Sequence, residues 1–191
     1  GLVLGAHMAL GEAHPLVLAQ HRCPRADLAV AVAQGRGDMG DLVAAALALA
    51  TRVREKVVSA LRLNLDENPM DLQLTPGLAA PASTDRWTLP LKVSFLVSSV
   101  AMVPEGDDYV SRLVLFVAAR DAKGGQSEVI QQNHAVRVPA GSIDRAQEHR
   151  FKIDVSLLMR EGSQRISVGL LDPLTRQSSY QTIQTRVPTS S

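Results

Sequence analysis

Two periodicities divide the chain. From Asp41 to about Leu63, the apolar residues Leu42, Ala46, Leu49, Val53, Val57 and Leu61 return at steps of three and four. That spacing puts them on one stripe of an amphipathic helix. Asp41 is the expected N-cap, and Asn64 with Pro69 beyond it marks the helix end. After the helix the period becomes two. Met70, Leu72 and Leu74 alternate with Asp71 and Gln73 until Pro76-Gly77 stops the run. The clearest strand follows: Trp87, Leu89, Leu91, Val93, Phe95 and Val97 occupy odd positions, with Thr88, Lys92 and Ser94 between them. One face is therefore buried and the other wet. Pro90 lies on the polar face, which predicts an edge position or a strand beginning.

Tyr109 to Arg120 is apolar on both faces around Leu113-Val114-Leu115-Phe116-Val117, as in a central strand. Asp121-Ala122-Lys123-Gly124-Gly125 is a hairpin turn, and Glu128 to Val138 is its returning strand. Pro139 to His149 connects onward, with one short helical turn begun by Ser142. Phe151, Ile153, Val155, Leu157 and Met159 then alternate with Lys152, Asp154 and Ser156. Glu161-Gly162-Ser163 turns the chain into Ile166, Val168 and Leu170, and Asp172 to Arg176 turns it into a last strand from about Ser179 to Val187. Strands at this spacing, with short turns and no intervening helix, indicate an antiparallel β-barrel or β-sandwich. About seven strands match an immunoglobulin-like one. The expected fold is mainly β: that sandwich over 70–188, a helix or linker over 41–65, and a loosely structured N-terminal segment over 1–40. Within that segment Leu28 to Val32 is a β-run, but Pro15, Pro24 and the glycines interrupt any sustained period.

Composition narrows the function classes. Hydrophobic residues make up 46% of the chain and aromatics 3%, so the core rests on Val, Leu, Ile and Ala and few rings remain for stacking on bases. Twenty basic residues against nineteen acidic give a charge of +1 without a basic stripe, which argues against nucleic acid. Membrane insertion is not expected either: no segment reaches the ~18 apolar residues needed to span a bilayer. The single cysteine, Cys23, leaves no internal disulfide and no multi-cysteine metal site. A secretory leader is not expected at the start, where His7, Glu12 and His14 interrupt the apolar residues.

Several stretches resemble a family. Tyr109 to Asp121, Val136-Arg137-Val138-Pro139 and Ile166 to Asp172 resemble the C-terminal region of bacterial von Willebrand factor A-related proteins of the kind found in Acidobacteria. Val57-Val58-Ser59-Ala60-Leu61, followed by Asn68-Pro69-Met70, resembles that family's linker. The resemblance covers about residues 53–188. It implies an upstream A-type domain, a larger exported protein and an extracytoplasmic (periplasmic or secreted) location. The Asp-x-Ser-x-Ser metal loop of A-type domains is absent. Asp154-Val155-Ser156 matches only its first half and falls in a strand, so no metal ligand carries over.

Candidate chemistry is sparse. Gly35-Arg36-Gly37-Asp38-Met39-Gly40 satisfies the dinucleotide pattern G-x-G-x-x-G between a β-run and a helix. Gly35, Gly37 and Gly40 would then let the backbone approach a pyrophosphate. Asp38 and Asp41 place negative charge at that point, however, no ribose-binding acid follows, and a flexible glycine loop is the better reading. Arg36-Gly37-Asp38 is an exposed loop tip rather than an adhesion signal. His7, His14 and His21 recur every seven residues, but a metal-binding helix spaces histidines by four and Pro15 breaks the helix. His134 and His149 read as solvated surface residues. Glu105, Asp107, Asp108, Asp121, Glu128, Asp144 and Asp172 sit mainly in turns, where carboxylates cap backbone N–H groups. Asp107-Asp108 could attract calcium, but the six or so oxygens of a site do not assemble around it. No nucleophile motif is present. The expected function is a non-enzymatic interaction or structural module with a protein partner and no cofactor or metal. The alternative is a small nucleotide-binding enzyme using residues 35–40.

Overall fold

Among the described residues, alternating side chains close the chain into two antiparallel sheets of five strands each. The structure, a computed structural model, describes residues 5–7, 39–63, 65, 67–84 and 86–188, with backbone alone for 5–7 and 39–42. In the first sheet β8 (Arg150–Met159) lies between β1 (Gly5–His7) and β4 (Arg86–Leu96). The far edge of β4 is shared by β2 (Gln73–Pro76) and β3 (Ala80–Ser83). The second sheet runs β10 (Gln177–Val187), β9 (Gly162–Asp172), β6 (Asp108–Asp121) and β7 (Ile130–Pro139). The short β5 (Val103–Glu105) pairs with the start of β6.

The seven strands expected from the pattern are β2, β4, β6, β7, β8, β9 and β10, and the sandwich is present. The additional β1, β3 and β5 have three or four residues, too few for an alternation to register. All of β3 is exposed, so no apolar face announced it. In an antibody constant domain the fourth strand lies beside the fifth. Here the fourth of the seven, β7, stays beside the third, β6, and becomes the edge of the second sheet.

The inner faces meet as the alternation requires. Leu89, Leu91, Val93 and Phe95 of β4 and Phe151, Ile153 and Val155 of β8 face Leu113, Leu115, Val168 and Leu170 of β6 and β9 in one buried cluster. The Phe95 and Phe151 rings sit 5.7 Å apart at 43°, a tilted pair. Asp172 is buried and closes the β9–β10 turn. Its carboxylate accepts N–H bonds from Leu174 (2.9 Å), Thr175 (3.3 Å) and, across the sandwich, Ala101 (2.8 Å). Asp121 caps the β6–β7 turn in the same way, through the Gly125 N–H at 2.7 Å.

The helix α1 (Met39–Ala60) forms a third layer on the outer face of the second sheet. Ala50, Val53, Val57 and Leu61 pack there against Val114, Phe116, Ala118, Leu171 and Tyr180. Gly169 makes this approach possible: a Cβ on it would stand 2.5 Å from Val57 Cγ2. Lys56 lies over the Tyr180 ring at 5.2 Å and pairs with Glu67 at 2.6 Å.

Several boundaries and positions differ from the sequence reading. The helix starts two residues before Asp41, which lies in its first turn rather than capping it. At the other end N–H bonds from Arg62 and Leu63 to Ser59 carry a tightened turn to the expected limit. Strand β7 begins at Ile130, two residues after Glu128, because the chain first closes a wider turn through an Arg120–Gln126 bridge. Pro90 sits in a central strand, not at an edge. Its carbonyl accepts the Gly77 N–H (2.8 Å) where β2 hands over to β3, so the N–H it lacks falls in a gap of the ladder. The helical turn after Ser142 is α2 (Ile143–Gln147), as expected.

Candidate functional site

The N-terminal half of α1 is apolar on more than its packing face. Ala46 and Leu49 lie half-buried on the expected stripe, while Val43 and Leu47, one turn apart on another face, are 49% and 67% exposed. A helix needs only one apolar stripe to dock on a sheet, so a second apolar row signals contact with something further. On the opposite flank of α1 lies a cleft of about 240 Å³ lined by Ala45, Ala48, Leu49, Arg52, Pro173 and Arg176. The floor and walls are aliphatic, and two exposed guanidinium groups stand at the rim. Neither Arg52 nor Arg176 makes an ion pair among the described residues. Arg176 is held by the β9–β10 turn with φ of 60°, a left-handed conformation that non-glycine residues seldom adopt. The arrangement suits an apolar side chain with a neighbouring carboxylate. The exposed row was visible in the chain as Val43 and Leu47 at a four-residue step, outside the stripe that assigned the helix, whereas the cleft joins α1 to the β9–β10 turn and had no local signal.

A second cleft, about 260 Å³, opens at one end of the sandwich between Arg86, Asp121, Gln126, Ser127, Arg160 and Gln164. It is shallow, and the turn residues around it are occupied with one another. Ser127 donates to the Glu128 carbonyl, and Gln164 donates to the Arg160 carbonyl at 2.9 Å.

Among the described residues, those singled out in the sequence do not converge. Gly40 is the second residue of α1, whereas Gly35 and Gly37 lie outside the described residues, as do Arg36, Asp38, the run at 28–32, His14, His21 and Cys23. His7 ends β1, paired with Lys152 in register. A dinucleotide fingerprint belongs to a parallel βαβ unit. The helix after Gly40 instead crosses an antiparallel sheet. Glu105 binds Arg112 (2.7 Å) and Arg137 (3.3 Å), whose positive charge holds its carboxyl below the usual range. Asp108 stands 3.9 Å from the same Arg137, so this acidic turn is neutralised by arginines. Among the described residues no three His, Cys, Asp or Glu side chains gather as a metal site would need. No helix among them is long and apolar enough to cross a membrane.

His134 is not a solvated surface residue. It points inward from β7 opposite Leu113, and burial drives its pKa down to about 4. Its Nε2 and the Oε1 of Gln132, two residues away on the same face, are buried without a hydrogen-bond partner. Val136 and Val138 lie in the inner cluster, and the same period-two register carries His134 and Gln132 to that face.

Fold and surface together define a helix-covered β-sandwich. No family model and no curated protein matches the chain. Among solved structures it resembles the X-ray structure of Northeast Structural Genomics Consortium target SoR45, at 7% identity and a TM-score of 0.42, over 65% of this chain and 91% of that one.

Proposed function

We propose that this chain is a non-enzymatic interaction module, the C-terminal part of a larger exported von Willebrand factor A-related protein. In this reading it docks a protein segment against the N-terminal half of α1. The observation that carries it is the aliphatic cleft along α1 that bears Arg52 and Arg176. The partner segment presents an aliphatic or aromatic side chain to the cleft and an acidic residue to Arg52 and Arg176. Burial of the apolar side chain supplies affinity, and charge at the rim supplies orientation and rate of encounter.

Panning a display library of ten-residue peptides against the chain tests this. Enriched sequences should carry Leu, Ile or Phe next to Asp or Glu. Ala48→Asp and Arg176→Glu should each weaken the selected peptide by about tenfold or more, the scale of one well-placed interface side chain. Binders indifferent to both substitutions would remove the reading. So would a thermal shift produced by NAD(P) or a nucleotide and abolished in Gly37→Ala, which would favour a nucleotide-dependent enzyme.

A further inference from the structure

The cleft between α1 and the β9–β10 turn is built from two sides. Ala45, Ala48, Leu49 and Arg52 share one face of the helix at steps of three and four. The opposite wall is a turn fixed by its own hydrogen bonds. Asp172 accepts the N–H groups of Leu174 (2.9 Å) and Thr175 (3.3 Å), and Thr175 Oγ1 accepts the Gln177 N–H (3.4 Å). Arg176 sits inside this network in its left-handed conformation, with φ of 60°. A wall ordered in advance loses little freedom when a ligand arrives.

Charge at the cleft is one-sided. The Asp172 carboxylate is buried and turned inward, onto the turn and onto Ala101 across the sandwich. Glu55 lies three residues beyond Arg52, yet no carboxylate among the described residues forms an ion pair with Arg52 or Arg176. Two guanidinium groups are therefore matched by a ligand with two negative groups. The space is also small. At about 240 Å³ it lies below the roughly 300–1,000 Å³ of a drug-sized ligand, and it suits one apolar side chain. The chain bearing that side chain leaves the cleft in two directions. In one direction stands the acidic residue of the docked segment, which satisfies one guanidinium. In the other, a continuing chain offers only a neutral peptide group. A chain that ends there offers a carboxylate on the same Cα as the buried side chain. Carboxylates meet a guanidinium fork through two parallel hydrogen bonds.

We propose that the segment docked at this cleft is the C-terminus of its partner, which rests on the docking function proposed above. The last residue is Leu, Ile or Phe and fills the cleft. Its α-carboxylate binds one of Arg52 and Arg176, and the acidic residue before it binds the other.

Fluorescence anisotropy with the full chain tests this, using labelled ten-residue peptides that end in Glu-Leu, Glu-Ile or Glu-Phe after a Gly-Ser repeat. Each is made with a free carboxylate, with a C-terminal amide, and extended by two glycines. The free acids should bind, and amide or extension should each weaken them by about tenfold or more. One of Arg52→Gln and Arg176→Gln should bring acid and amide to equal affinity, because it removes the partner of the α-carboxylate. The other should weaken both forms alike. Both arginines are exposed, so neither substitution disturbs the core. Equal affinity of acid, amide and extended peptides overturns the chain-end proposal and leaves the docking function standing for an internal segment. Binding by none of the three forms overturns both. An acid preference that survives in both variants places the carboxylate on another cation and overturns the proposal too.

Discussion

The two sheets are built from similar residues but are buried differently. Along β8 the inward residues are buried, with half-buried or exposed ones between, and this repeats almost without interruption. Along β9 nearly every residue from Ile166 to Asp172 is buried, whichever way it points. The first sheet has one dry face, as antiparallel sheets commonly do. The second has two, because α1 roofs its outer face over β6, β9 and β10. Alternation thus identifies a strand with one wet face and also its orientation. A continuous apolar run says only that a cover exists.

That difference sets what the sequence could convey. In the first sheet the positions of Phe151, Ile153 and Val155 followed from period two alone, because a one-residue slip would have exposed them all. For β6 the run Leu113 to Val117 implied burial on both faces, and the stripe Val53, Val57, Leu61 implied a helix with something to cover. Joining them required Gly169, whose missing side chain makes the contact, and one glycine within a strand has several readings. The edges were less legible still. Strand partners are a tertiary property, so nothing local marked β4 as central despite Pro90, or β7 as the open edge that carries His134 inward. At the cleft, Ala48 and Arg176 come together only through the fold.

The largest expected effect lies in the sheet with one dry face. Phe151→Ala empties a fully buried site packed on Phe95 and should cost about 3–5 kcal/mol. Its neighbour Lys152 points to the wet face, so Lys152→Ala should change stability by no more than about 0.5 kcal/mol. Urea denaturation of both variants checks this. Comparable losses would mean that the outer face of β8 is covered as well, and the contrast between the sheets would fail.

Next comes His134, on the inner face of the second sheet at its edge. Its pKa falls from 6.5 to about 4 in the folded chain because burial disfavours the charged ring. The unfolded chain therefore binds more protons between those values, and stability is complete above about pH 6.5 and declines as pH falls toward 4. The difference corresponds to at most about 3 kcal/mol, and to less where the partly exposed ring retains solvent. Asp71 and Glu105 add their own loss at lower pH. Their arginine partners depress their pKa values from 3.8 and 4.5, so that loss begins only near those values. His134→Gln should flatten the denaturation midpoint between pH 6.5 and 5. An unchanged slope would show that the ring is hydrated and the edge more open than its geometry indicates.

The smallest effect examines the roof itself. Gly169 has an ordinary strand backbone, so its role is space rather than conformation. A methyl group there meets Val57 Cγ2 at 2.5 Å, Val53 Cγ1 at 3.3 Å and Tyr180 Cδ1 at 3.4 Å. Valine in a helix holds essentially one rotamer and cannot swing aside, so α1 must lift. Gly169→Ala should cost about 1–3 kcal/mol, the usual range for overpacking. Val57→Ala alone also destabilises, by removing buried methyl groups from the same contact. Together the two should be less harmful than their sum by about 1 kcal/mol or more, because the alanine at 169 fills the space that Val57 vacates. The same pair offers a control in the first sheet: Gly169→Ala combined with Leu91→Ala should be additive, since Leu91 lies in the inner cluster and shares no contact with Gly169. Additivity for Gly169 with Val57 as well would mean that the helix rides loosely over β9, and that the two dry faces of the second sheet differ in kind.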